Sequence, residues 1–325
     1  MTRPGREALT GVATGRKRRR GEQPMVPDAK FTSYYGKPVI NGPVWQAPDI
    51  PGYLFLGGLA GASSLLGAGA QATGRPAIAA ISKTGAFGAV SLSLVALVHD
   101  LGRPARFLNM LRVLKVTSPM SVGSWLLTAY GPLAGAAAFS AVTGRFRRIG
   151  TAATAGSTVL GPAVAAYTAA LLSDTAVPAW HDGHRELPYV FVGSGATAAG
   201  GLALLAAPTT ESGPARTFAV FGVALENGAF KLMERRMGMV AEPYRTGRGG
   251  KYVHAAEILS AAGAAGALLA RRNHLLRRLS GAALVAASAA LRWGVFHAGK
   301  DSAADPKYTI VPQRHRADAR AGRPE

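Results

Sequence analysis

Seven stretches of about twenty residues, nearly free of charge, recur along this chain, and about that length is needed to cross the hydrocarbon core of a bilayer. Pro51 to Ala70, Val122 to Val142, Thr151 to Leu172 and Tyr189 to Ala207 hold no Asp, Glu, Lys or Arg. Ala79 to Val98 carries only Lys83, His254 to Ala270 only Glu257, and Leu279 to His297 only Arg292, near its end. Arg216 to Leu232 is a weaker eighth stretch, with Glu226 and Lys231 inside it. The expected fold class is all-α: a polytopic membrane protein with about eight transmembrane helices.

A soluble protein built of Ala-rich helices is the competing fold. Its surface helices need a polar face, and these stretches are apolar all round. The chain has 37 Lys and Arg against 17 Asp and Glu, a net charge of +20, yet 48% of its residues are hydrophobic. The two populations are segregated. Basic residues sit in short joints, at Arg145, Arg147 and Arg148 and at Arg271, Arg272, Arg277 and Arg278. A disordered basic protein lacks long apolar tracts and is excluded. With no cysteine in the sequence, this chain alone holds no disulfide, thiolate nucleophile, iron–sulfur cluster or Cys-ligated zinc.

Residues 1–48 read as a polar basic tail, with the run Arg16 to Arg20 attracted to anionic lipid. No apolar stretch follows that run closely, so a cleaved signal peptide is not expected. No folded module accompanies it that would point to nucleic acid. Residues 49–298 form the expected membrane domain, divided at 207/208, and 299–325 a polar, mobile C-terminal tail. The basic N-terminal tail argues for an inside N-terminus and the short basic joints, which weigh more than a distant charge run, for both termini outside, so the orientation stays open with a lean to the latter. Gly57, Gly58 and Gly61 suit close helix packing rather than phosphate binding, because no strand precedes them.

Polar groups at membrane depth are costly and so mark candidate sites. The richest cluster joins the second and third stretches: His99, Asp100, Arg103, Arg106, Asn109 and Arg112, then Thr117 to Trp125. Gly102 and Pro104 are helix-end signals that place His99 and Asp100 in a last turn at the membrane boundary. A His–Asp pair relays protons near neutral pH, and the arginines offer donors to a carboxylate, a phosphate or a partner. A capping network of His, Asp and Arg accounts for the same residues.

The runs Tyr53 to Gly61, His99 to Pro104 with Arg106 and Phe107, Ser118-Pro119 through Gly123 and Trp125, and Tyr167 to Leu172 with Pro178 and Trp180 resemble the NrfD/polysulfide reductase membrane-subunit family. The resemblance is dense from Tyr34 to Gly201 and thin afterwards. It implies two four-helix halves, with a quinone site in the first half (49–207) and the second half at 208–298. It also implies electron exchange between menaquinone or ubiquinone and a ferredoxin-like iron–sulfur subunit, and through that a molybdopterin subunit. The implied setting is a multi-pass subunit of the cell membrane, with no haem, no iron–sulfur cluster and no metal in this chain.

Within that frame His99 and Tyr167 are expected to hydrogen-bond the quinone. Asp100 and Asp174 pass protons, and Arg103 with Arg106 anchors the site or the partner. Tyr167 and Asp174, seven apart, share one helix face. Tyr53, at the start of the first span, is expected as an interfacial anchor beside the site. Lys231 and Glu234 are expected to pair on a helix face, and Glu226 with Glu257 to offer a proton path. Rival readings are a haem anchor, a transporter, and a membrane anchor without a working quinone site. All seven histidines lie at span ends, in joints or in a tail, which disfavours haem.

Overall fold

The computed structural model describes residues 39–101, 105–270 and 273–320, and the secondary structure of those residues is helical. The long helices are α1 (Asp49–Ala72), α2 (Pro76–Asp100), α4 (Pro119–Thr143), α5 (Arg147–Ser173), α7 (Leu187–Ala206), α8 (Gly213–Met237), α9 (Gly247–Leu269) and α10 (His274–Ala304). Short helices α3 (Ala105–Met110) and α6 (Pro178–His181), a 3₁₀ segment (Gly238–Tyr244) and α11 (Lys307–Arg320) complete the chain.

Local chemistry sets the ends. Proline opens α2, α4 and α6, where a missing N–H costs nothing. Gly144 ends α4 with φ of 69°, a left-handed conformation that glycine adopts without a Cβ penalty. Asn273 caps α10, its side chain accepting from the Leu275 and Leu276 amides at 3.0 and 3.1 Å.

Among the described residues seven helices are long and apolar enough to cross a membrane: α1, α2, α4, α5, α7, α9 and α10. The chain is a multi-pass membrane protein. Helix α8 is equally long but more polar, and it runs antiparallel along α7. Glu186 meets Arg236, Gly193 meets Gly222 and Glu226, and Gly200 meets Ala215 and Ala219.

Helices α1, α2, α4 and α5 pack on one another, as do α7 to α10, and α1 against α7 joins the two groups. On α1, backbones touch at two crossings. A Cβ on Gly61 would lie 2.3 Å from the Gly161 carbonyl oxygen, and one on Gly195 2.7 Å from that of Gly58. Gly58 and Gly61 therefore serve close helix packing, as the sequence suggests. Hydroxyls lock the same region: Tyr130 donates to the Ala60 carbonyl at 2.7 Å and contacts Ser64 Oγ at 2.7 Å.

The C-terminal region departs from expectation. Helix α10 runs seven residues beyond His297, and the segment expected to be mobile forms α11, with Tyr308 and Val311 buried. Asp305 accepts from the Lys307 amide at 3.0 Å, and Lys307 pairs with Glu242 at 2.8 Å. These contacts hold a polar segment that composition alone marks as solvated.

Candidate functional site

The N-terminus of α1 and the C-termini of α2 and α5 lie on one side of the helical slab. Asp49, in the first turn of α1, accepts from His99 Nδ1 at 2.8 Å across fifty residues of chain. Asp100 takes a hydrogen bond from the Gln46 backbone and lies close to both Asp49 and His99. The three side chains form one cluster, with His99 largely exposed and Asp100 half-buried. His99 is thus tied to Asp49, a residue that sequence reasoning missed. Its signal is present: an acid opening one span faces a His closing the next.

One turn inward on α1, Tyr53 is buried at 2% exposure, which corrects its expected role as an interfacial anchor. Its ring meets Tyr167 of α5 edge-on, with centroids 6.4 Å apart. The Tyr167 hydroxyl is buried and has no hydrogen-bond partner among the described residues. Gly123 of α4 makes room for the ring, since a Cβ there would lie 2.2 Å from Tyr167 Cε2. An orphaned hydroxyl at this depth is costly and suits a site that presents a donor to a ligand.

Asp174 is the exposed C-cap of α5, two turns beyond Tyr167 toward the same boundary. Arg103 lies outside the described residues, as does the Arg106 side chain, although Arg106 belongs to α3. Beside this region an apolar cavity of about 470 Å³ opens between α2 and α4, lined by Phe87, Leu94, Phe107, Leu111, Leu127 and Pro132 among others.

An aromatic plug closes the same side. Trp180 of α6 is fully buried, donates to the Val295 carbonyl at 2.8 Å, and stacks between Trp45 and Phe296 at 5.7 and 6.2 Å. His181 and His184 each place Nδ1 3.0 Å from a backbone carbonyl, of Ser173 and His181, and so serve the joint's own structure.

The second group of helices holds a different constellation. Lys231 pairs with Glu234 at 3.2 Å, as expected, and also with Glu257 at 2.6 Å; Arg245 joins Glu234 at 3.0 Å. Glu226 and Glu257 stand in different surroundings: Glu257 is in this partly exposed network, whereas Glu226 is 2% exposed. Arg292 is fully buried and interacts with that carboxylate electrostatically, from beyond ion-pair distance. Its Nη2 donates to the Phe191 carbonyl at 2.7 Å, and its guanidinium lies 3.5 Å from the Phe191 ring centroid. The longer α10 places Arg292 mid-helix, not near a span end as the apolar window suggested.

Among the described residues no group of three or more His, Asp or Glu side chains is arranged to hold a metal ion. Comparison with curated proteins gives no match. The family model described as polysulphide reductase, NrfD, matches residues 39–217, more than half of the sequence, and the chain belongs to that family.

Proposed function

We propose that this chain is the membrane subunit of a respiratory oxidoreductase complex. It exchanges electrons and protons between the quinone pool of the cell membrane and a docked iron–sulfur subunit, which leads to a molybdopterin enzyme. Eight crossings in two four-helix halves support the site, with α8 as the polar crossing. The observation that carries this reading is the buried Tyr167 hydroxyl, without a partner among the described residues, beside Tyr53 and one turn inward from the Asp49–His99–Asp100 cluster.

A quinone carbonyl accepts hydrogen bonds, so a phenol with a free donor fits it. When bound, the quinone supplies a two-electron, two-proton couple, and the electrons pass to or from the partner's clusters. Tyr167 holds one carbonyl and His99 the other. Asp49 keeps the His99 ring oriented and balances its positive charge while it carries a proton. Asp100 connects the cluster to the membrane boundary, and the exposed Asp174 offers a second exit to water. Arg103 and Arg106 anchor the site or the partner subunit. The apolar cavity between α2 and α4 accommodates a polyprenyl tail next to the headgroup.

The test is quinone-coupled turnover of the intact complex carrying His99→Ala or Tyr167→Phe. Losing a positioned acid–base group costs roughly a hundredfold or more. A fall of that order, with assembly intact, supports the assignment. Wild-type turnover in both variants would leave a membrane anchor with no working quinone site here.

A further inference from the structure

On the side of the slab opposite the candidate site, four turns join α1 to α2, α4 to α5, α7 to α8 and α9 to α10. Among the described residues these turns and the helix ends beside them hold Arg75, Arg145, Arg147, Arg148, Arg216, Arg277 and Arg278 against a single acid, Glu211. Glu211 is engaged: its Oε2 accepts from the Ala77 and Ile78 amides at 3.0 and 3.1 Å, capping α2.

Two cavities open on this side and share Arg75. The first, about 400 Å³, has a mixed lining that includes Gln71, Arg75, Lys83, Ser140, Arg147 and Thr151, with no acidic side chain. Lys83 is only 7% exposed, and its ammonium donates to the neutral Gln71 side chain. Among the described residues none of Arg75, Lys83 and Arg147 has a carboxylate within ion-pair distance. The first turn of α5, which has no side-chain cap, borders the same space with its free N–H groups.

The second cavity, about 750 Å³, is apolar and is lined by Leu65, Leu66, Phe218 and Phe221, with Arg75 and Arg216 at its rim. Arg216 is half-exposed, but its Nε is buried without a hydrogen-bond partner among the described residues. A buried cation without a counter-charge, as Lys83 is here, is costly, and an anion that supplies one binds favourably. A cationic chamber joined through one arginine to an apolar groove has the form of an amphiphile: anionic head, aliphatic body.

We propose that this paired cavity binds an anionic phospholipid. The phosphate lies among Arg75, Lys83 and Arg147, and an acyl chain lies along the groove between α1 and α8. The shared arginine and the apolar walls favour a lipid over free phosphate, whose charge alone would fill only the cationic chamber. Juxtamembrane cations attract anionic lipid generally; here they surround a defined chamber.

The test uses the purified full chain after detergent delipidation, with bound mass read by native mass spectrometry and unfolding temperature read in parallel. Phosphatidylglycerol should bind at one equivalent and raise the unfolding temperature, whereas phosphatidylcholine and inorganic phosphate should do neither. Arg75→Gln and Arg147→Gln should each weaken phosphatidylglycerol binding about fivefold. Arg145→Gln, which removes charge from the same side but outside the chamber, should leave it unchanged. Arg75→Lys should retain most of the affinity, which separates lost charge from misfolding. Equal binding of phosphatidylcholine, or equal weakening by Arg145→Gln, would overturn the site. Protection by inorganic phosphate matching that by phosphatidylglycerol would overturn the lipid assignment.

Discussion

Asp49 and His99, the first residue of one crossing helix and the penultimate residue of the next, meet at 2.8 Å. The carboxylate serves α1 as a first-turn acid, favoured by the helix dipole, and serves His99 as the partner that orients its ring. Because Asp49 acts through His99, Asp49→Asn should leave complex assembly intact and lower quinone-coupled turnover by about tenfold, less than His99→Ala. Turnover equal to the parent's in Asp49→Asn would show that the carboxylate does not act through His99.

Gly123 bears on the site from α4. A Cβ there would press on the Tyr167 ring, and a side chain can shift where backbone cannot. Gly123→Ala should therefore lower turnover while the unfolding temperature stays close to that of the parent. At Gly61 the obstructing atom is the Gly161 carbonyl, so Gly61→Val should destabilise the bundle by about 1–3 kcal/mol or more, measured by thermal unfolding in detergent.

Arg292 and Glu226 are opposite charges buried in the second helical group, beyond ion-pair distance of each other but near enough to interact electrostatically. Arg292→Met removes the buried cation that acts on the Glu226 carboxylate and should lower stability. The double variant Arg292→Met, Glu226→Gln should recover most of that loss. Thermal unfolding of both proteins checks this; equal destabilisation of the single and double variants would show that the two charges are not coupled.

Glu186 precedes α7, and its hydrogen bonds from Arg236 hold its carboxyl below the usual carboxylate range despite burial. A depressed folded-state value means that the contribution is complete above the ordinary carboxylate pKa and is lost as pH falls through the folded one. Stability should therefore decline on acidification below about pH 4.5, the ordinary value for a glutamate. Glu186→Gln should lower stability at neutral pH and flatten part of that acid limb in unfolding scans.

The crossing helices were legible because apolar runs of span length are hard to mistake, and the glycine spacing foretold the α1 crossings. The ends of α10 were not, because a window that tolerates little charge stops before Lys300 and Asp301, although the helix continues to Ala304. The same limit hid the depth of Arg292, yet apolar residues flank it on both sides, and that was the available clue. His99, Asp100, Tyr53 and Tyr167 stood out as polar residues in an apolar chain. Asp49 did not, because an acid opening a helix has an ordinary explanation and its contact lies fifty residues away. The orphaned state of the Tyr167 hydroxyl depends on which side chains surround it, and no spacing rule reports that.

The central claim, a quinone headgroup between Tyr167 and the Asp49–His99–Asp100 cluster, is tested most directly by photo-crosslinking the intact complex with an azidoquinone and mapping the label by peptide mass spectrometry. The account predicts adducts on α1, α2 or α5 near Tyr53, His99 and Tyr167, abolished by excess quinol. Label confined to α7 to α10, or label on the first helices that quinol does not displace, would contradict it.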